Sequence, residues 1–148
     1  METTELLASQ LEWVGNNYAH NLDYIPEDKL TWKPAPEASS ALEVTEHVIG
    51  VLNRIRWAVA GDEPTELTPP ANREDAKQAL ASAVASLALA LRALTPEDMA
   101  RIIEVPRFGD MPVARLANIA VMDTTHHHGQ IAYIQTLLGD TESHFAPE

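Results

Sequence analysis

Cysteine is absent from the 148-residue chain. That excludes a disulfide framework, a thiolate zinc site and a cysteine nucleophile, and it leaves nitrogen and oxygen as the ligand atoms for any metal. Basic residues are few: 10 Lys+Arg stand against 22 Asp+Glu, for a formal net charge of −12. An acidic surface repels a phosphate backbone, so nucleic acid is not an expected partner, and the acidity is read as solubility. There is no basic segment followed by an apolar leader, and no apolar run of membrane-spanning length. A soluble, cytoplasmic protein without a membrane partner is the expectation. Internal repeats and low-complexity tracts are also missing.

What remains is helical. The length fits one domain over residues 1–148, and 45% hydrophobic residues suffice for a core. Residues 3–24 carry an apolar stripe at three- and four-residue steps: Leu7, Leu11, Val14, Tyr18 and Leu22. A proline-punctuated connection follows over residues 25–38. Ser40 and Glu43 then form a capping-box pattern for a second helix, to about residue 60, with its stripe on Ala41, Val44, Val48, Leu52, Ile55 and Val59. Asn72 can cap a third, alanine-rich helix to about residue 94. Its small residues suit close approach, in a core or against a second subunit. Residues 101–110 read as extended, with a turn at Gly109-Asp110 and with Pro106 arguing against a central strand. Pro112 suits the first turn of a fourth helix that Gly139 ends. The expected fold is all-α: a four-helix bundle with long inter-helix connections.

Three of the six histidines stand together in this last helix, at 126 to 128. With Leu116 at zero and about 100° per residue, Asp123 falls at about −20° and His127 at about +20°, on the midline of an apolar stripe. His126 falls at about −80°, on the flank, and His128 at about +120°, largely outward. An isolated buried carboxylate must find a partner or shift its pKa. His127, four residues on, can supply an ion pair, or the two can share a cation with a third ligand from another helix. His47, at the edge of the second helix's stripe, is the candidate third ligand. Spacing alone leaves the ion pair and the metal site about even.

Two segments carry a family resemblance. IPEDKLTWKPAPEASSALEVTEHVIG (25–50) and HHHGQIAYIQTLLG (126–139) resemble, in this order and spacing, segments of the DinB-like superfamily of YfiT-type metal-binding four-helix bundles. That resemblance implies a divalent transition metal (zinc, nickel, iron or manganese) held by one histidine of the second helix and two positions four apart on the fourth. Carried over, these are His47, Asp123 and His127, with Asp123 where the family has histidine and His128 where it often has arginine. Two histidines and a carboxylate resemble a facial triad and favour Fe(II) or Mn(II). A degenerate site, or His126 as the missing nitrogen ligand, are the alternatives. Gln130 is a candidate to hydrogen-bond a ligand or a metal-holding histidine.

The resemblance further implies a small-molecule substrate, a homodimer and metal-dependent chemistry: transfer to or from a low-molecular-weight thiol as co-substrate, or hydrolysis. An ion with an open position lowers the pKa of a bound thiol or water. No catalytic side chain is singled out, and Tyr18 and Trp32 are more readily core than pocket lining. Two other readings are a non-catalytic stress-response bundle with a vestigial site, and a structural dimerising bundle with a buried Asp123–His127 pair.

Overall fold

The computed structural model describes residues 2–147. Four long helices form the body: α1 (Thr3–Leu22), α2 (Ala41–Ala60), α3 (Arg73–Arg92) and, after a short α4 (Pro96–Ala100) and two strands, α5 (Val113–Leu137). Both α1 and α2 pack against α3 and α5, so they face each other across the diagonal of the bundle. The expected four-helix bundle is the observed architecture.

The helix ends follow local chemistry. Ser40 accepts from the Glu43 N–H while the Glu43 carboxylate accepts from the Ser40 N–H, and Gly61 closes α2 in the left-handed region. Asn72 accepts from the Asp75 N–H at the start of α3. Thr95 and Asp98 make a second capping box around α4. Every residue of the two stripes read from α1 and α2 is buried.

The alanine-rich α3 packs some of its small residues inside the chain and leaves Ala81, Ser82 and Ala85 exposed. Ala76, Ala83 and Ala88 are buried, and a Cβ placed on Gly15 of α1 would lie 2.7 Å from a Val84 methyl of α3. Gly15→Leu is therefore expected to destabilise by about 1–3 kcal/mol through overpacking, checked by urea unfolding.

At the far edge of the same interface Arg92 bridges α3 to α1, donating to Glu5 at 2.9 Å and Glu12 at 2.6 Å. Those hydrogen bonds hold both carboxyls below their ordinary value of 4.5. A depressed folded-state pKa stabilises above the unfolded value and ceases to do so as pH falls through the folded one. Arg92→Leu protein should thus lose less stability than the parent between pH 5 and 3, read from thermal unfolding across that range.

Between α4 and α5 the chain makes a two-stranded antiparallel ribbon, β1 (Ile102–Val105) and β2 (Gly109–Pro112), with Ile102 opposite Pro112 and Val105 opposite Gly109. The turn is therefore Pro106-Arg107, closed by the Phe108 N–H on the Val105 carbonyl at 3.0 Å, and not Gly109-Asp110. Pro106 sits at the second turn position, which its fixed φ suits, and Gly109 (φ +76°) opens the returning strand. Pro112 is the N-cap of α5, one residue earlier than a first-turn placement.

Candidate metal centre

Helix α5 lies between α1 and α2 and presents a different face to each. Its buried residues include Leu116, Ala117, Ala120, Thr124, Ile131, Ile134 and Gln135. On the sequence wheel their centre falls at about +60° rather than at zero. Apolar periodicity missed this because Thr124 and Gln135 are buried polar residues and drop out of an apolar stripe. Asp123 and His127 consequently sit at the α2-facing edge of the buried face, not on its midline. Leu137, an apolar residue at about −60° on the same wheel, is exposed.

The same rotation corrects His128, which does not point outward. It is half-buried, and its Nε2–H donates to Asn21 Oδ1 of α1 at 2.6 Å. Burial holds its imidazole below the ordinary histidine pKa. Asn21 donates in turn to Gln135 Oε1 at 2.9 Å, and Gln135 donates to the Glu142 carbonyl at 3.0 Å. The α1 face of α5 is thus a closed hydrogen-bond chain that also fastens the C-terminal segment.

On the α2 face the arrangement is different. One ligand atom each from His47, Asp123 and His127 lie within 4.8 Å of one another. The His47 and His127 rings meet edge to face with centroids 4.8 Å apart. His127 Nδ1–H donates to Gln130 Oε1 at 2.7 Å, so its Nε2 carries the lone pair and faces Asp123 Oδ1 at 3.5 Å. Two acceptors at that distance attract only through a cation, a proton or a metal ion. The other carboxylate oxygen, Asp123 Oδ2, is the one buried side-chain polar atom with no hydrogen-bond partner among the described residues. Burial, then the His127 ring, hold the His47 imidazole below its ordinary pKa, with Asp123 opposing. Neutral imidazole is the form that ligates a metal.

The donor set fits a divalent ion. Around an ion with ~2.1 Å bonds, tetrahedral ligand atoms stand about 3.4 Å apart, close to the His127–Asp123 separation. An ion would also give Asp123 Oδ2 its missing partner.

Of three clefts that His47 borders, two also reach His127 or Asp123. One, of about 760 Å³, has His47, His127, Gln130 and the exposed His126 on one side and Pro34 and Ala38 of the α1–α2 connection on the other. The second, of about 630 Å³, runs from His47 and Asp123 to the β1–β2 ribbon. The connection over residues 25–38 walls the first, and the segment over residues 101–111 walls the second. His126 lies beside His127, ring centroids 4.9 Å apart, but outside the three-residue group. Tyr18 lines neither cleft: it is buried, hydrogen-bonded to Thr45 at 3.1 Å across the bundle diagonal, and burial raises its pKa. Trp32 is half-buried against the core. Arg54 on the second cleft's wall was not singled out from sequence, although seven residues beyond His47 is two helical turns on the same face.

Comparison with known proteins agrees with this architecture. Residues 10–131 match the DinB superfamily. A DinB-like protein from Bacillus subtilis is 20% identical with a TM-score of 0.76, covering 97% of this chain and 99% of that one. A conserved protein from Enterococcus faecalis is 18% identical with a TM-score of 0.82, covering 95% and 99%. A DinB-like protein from Bacillus cereus is 18% identical with a TM-score of 0.76, covering 96% and 94%. At these identities the likeness is one of fold. No curated protein sequence matches the chain. No helix among the described residues is long and apolar enough to cross a membrane.

Proposed function

The chain belongs to the DinB superfamily, and we propose that it binds one divalent transition metal ion through His47, Asp123 and His127 and uses it in group transfer involving a small thiol, or in hydrolysis. The observation that carries the reading is the orphaned Asp123 Oδ2, buried beside two imidazoles with no hydrogen-bond partner of its own. A carboxylate in that position costs free energy in the folded chain unless a cation completes it.

The residues divide the work. His47 and His127 offer neutral nitrogens, and Asp123 supplies the negative charge that favours a divalent ion. Gln130 accepts the His127 Nδ1 proton and so keeps Nε2 free to ligate. The absence of cysteine means that a reacting thiol comes from the substrate side. When bound, the ion supplies Lewis acidity, bringing a thiol or water into its nucleophilic form near neutral pH. The adjoining clefts leave room for reactants beside His127 and His47, which favours a working site over a purely structural ion pair.

The test is a screen of zinc-, manganese- and iron(II)-loaded protein with a small thiol and a panel of electrophiles and esters. Turnover is expected to fall at least 100-fold on chelation and in His127→Ala. Turnover that survives both changes would remove the metal from the chemistry.

A further inference from the structure

The second cleft carries an unusual charge pattern for so acidic a chain. Six of the ten lysines and arginines pair with carboxylates, and Arg101 donates to the Val59 carbonyl. Arg54, Arg107 and Arg115 have no acceptor among the described residues. Two of those three, Arg54 and Arg107, stand on the wall of the cleft that also contains His47 and Asp123. With carboxylates in more than twofold excess over basic groups, two guanidinium groups left without partners in one cleft leave their donors for a ligand.

The backbone provides for both side chains. Arg107 occupies the third position of the Pro106-Arg107 turn with φ +72°, a left-handed conformation that glycine adopts at less cost. Arg54 lies between this cleft and a neighbouring one lined by Glu43, Glu46 and Gly50; a Cβ added to Gly50 would lie 3.0 Å from its Nη1, so the guanidinium folds back along α2 beside Gly50 and swings toward Arg107 to take a ligand in the second cleft. The rest of the wall is mostly apolar: Val51, Ile55, Ala58, Met111 and Ile119, with Phe108, 76% exposed, at the lip. The Glu104 and Asp123 carboxylates also line the cleft and oppose an anion.

We propose that this cleft binds a small amphipathic organic anion, its acid group taken by Arg54 and Arg107 and its apolar body laid along Phe108, Ile55 and Ile119 toward His47 and Asp123. That the bound molecule is a substrate rests on the metal-centre reading above. That it binds does not.

The experiment titrates octanoate, octanol and inorganic phosphate into metal-free and zinc-loaded protein by calorimetry, with Arg54→Gln and Arg107→Gly alongside. Octanoate is expected to bind the parent protein and to bind each variant at least tenfold more weakly, with zinc uptake unchanged. Octanol and phosphate, each lacking one half of the match, are expected to bind at least tenfold more weakly than octanoate. Arg107→Gly should unfold at a higher temperature than the parent, because glycine relieves the left-handed turn, so lost binding there is not lost folding. No octanoate binding, equal binding by both variants, or octanol or phosphate binding as tightly as octanoate would overturn the proposal. Arginine-dependent octanoate binding in a protein that takes up none of zinc, nickel, manganese and iron(II) would support the anion cleft and sink the metal centre instead.

Discussion

Asp123→Asn is expected to stabilise the metal-free protein and at the same time abolish its response to metal. With Nδ1–H given to Gln130, the parent sets His127 Nε2 opposite one carboxylate oxygen of Asp123, whose second oxygen is buried and unpaired. Asparagine keeps the shape, removes the charge and offers an N–H toward Nε2. Relief of one unsatisfied buried group is about 1–2 kcal/mol, seen as a higher urea midpoint without a change in slope. The metal arm runs the other way. An ion present at 100 times its Kd stabilises the parent by about 2.7 kcal/mol through linkage. The variant loses its only anionic ligand, so its affinity should fall at least 100-fold, beyond what loss of a partner outside the coordination sphere typically costs. A variant less stable than the parent without metal would show that the carboxylate is already satisfied by His127 as an ion pair.

Asn21→Leu should have the largest effect on folding. Asn21 is 3% exposed and, from α1, hydrogen-bonds both His128 and Gln135 of α5. Leucine leaves the His128 Nε2–H and the Gln135 Oε1 without their partners at the α1–α5 contact. Each unsatisfied group costs about 1–3 kcal/mol, less for the half-buried histidine, so a loss of about 2–4 kcal/mol is expected in urea unfolding. The C-terminal segment should loosen with it, because Gln135 also holds the Glu142 carbonyl. Faster proteolysis after residue 138 would register this. A loss under about 1 kcal/mol would mean that solvent already satisfies the chain of hydrogen bonds.

These two predictions concern opposite edges of the buried face of α5, and the sequence made only one edge readable. Leucine, isoleucine and valine at helical spacing located α1, α2 and α5, and the side chains of Ser40 and Asn72 marked two helix starts, because apolar burial and capping are local in sequence. The choice of His47, Asp123 and His127 came from spacing and a family resemblance, and the fold brings the three together. Asn21 and Gln135 were invisible for a physical reason: each is a buried polar side chain stabilised by a partner distant in sequence, which no periodicity encodes, while Thr124 buries its hydroxyl on the Ala120 carbonyl one turn back and so also drops out of an apolar stripe. Leaving them out turned the wheel by about 60°. That made His128 look solvent-facing and placed Asp123 at the centre of the stripe. The ribbon turn was displaced for a similar reason. Glycine at 109 is the stronger local turn signal, and an arginine in a left-handed conformation runs against local preference.

The central claim is that the His47, Asp123 and His127 side chains hold one ion. The most direct measurement is metal content of untagged protein after incubation with zinc, nickel, manganese or iron(II) and gel filtration, beside His47→Ala, Asp123→Ala and His127→Ala. The account predicts about one equivalent of at least one metal in the parent, as a single three-ligand site requires, and its loss in all three variants. No retained metal in the parent, or equal retention in the variants, would contradict it.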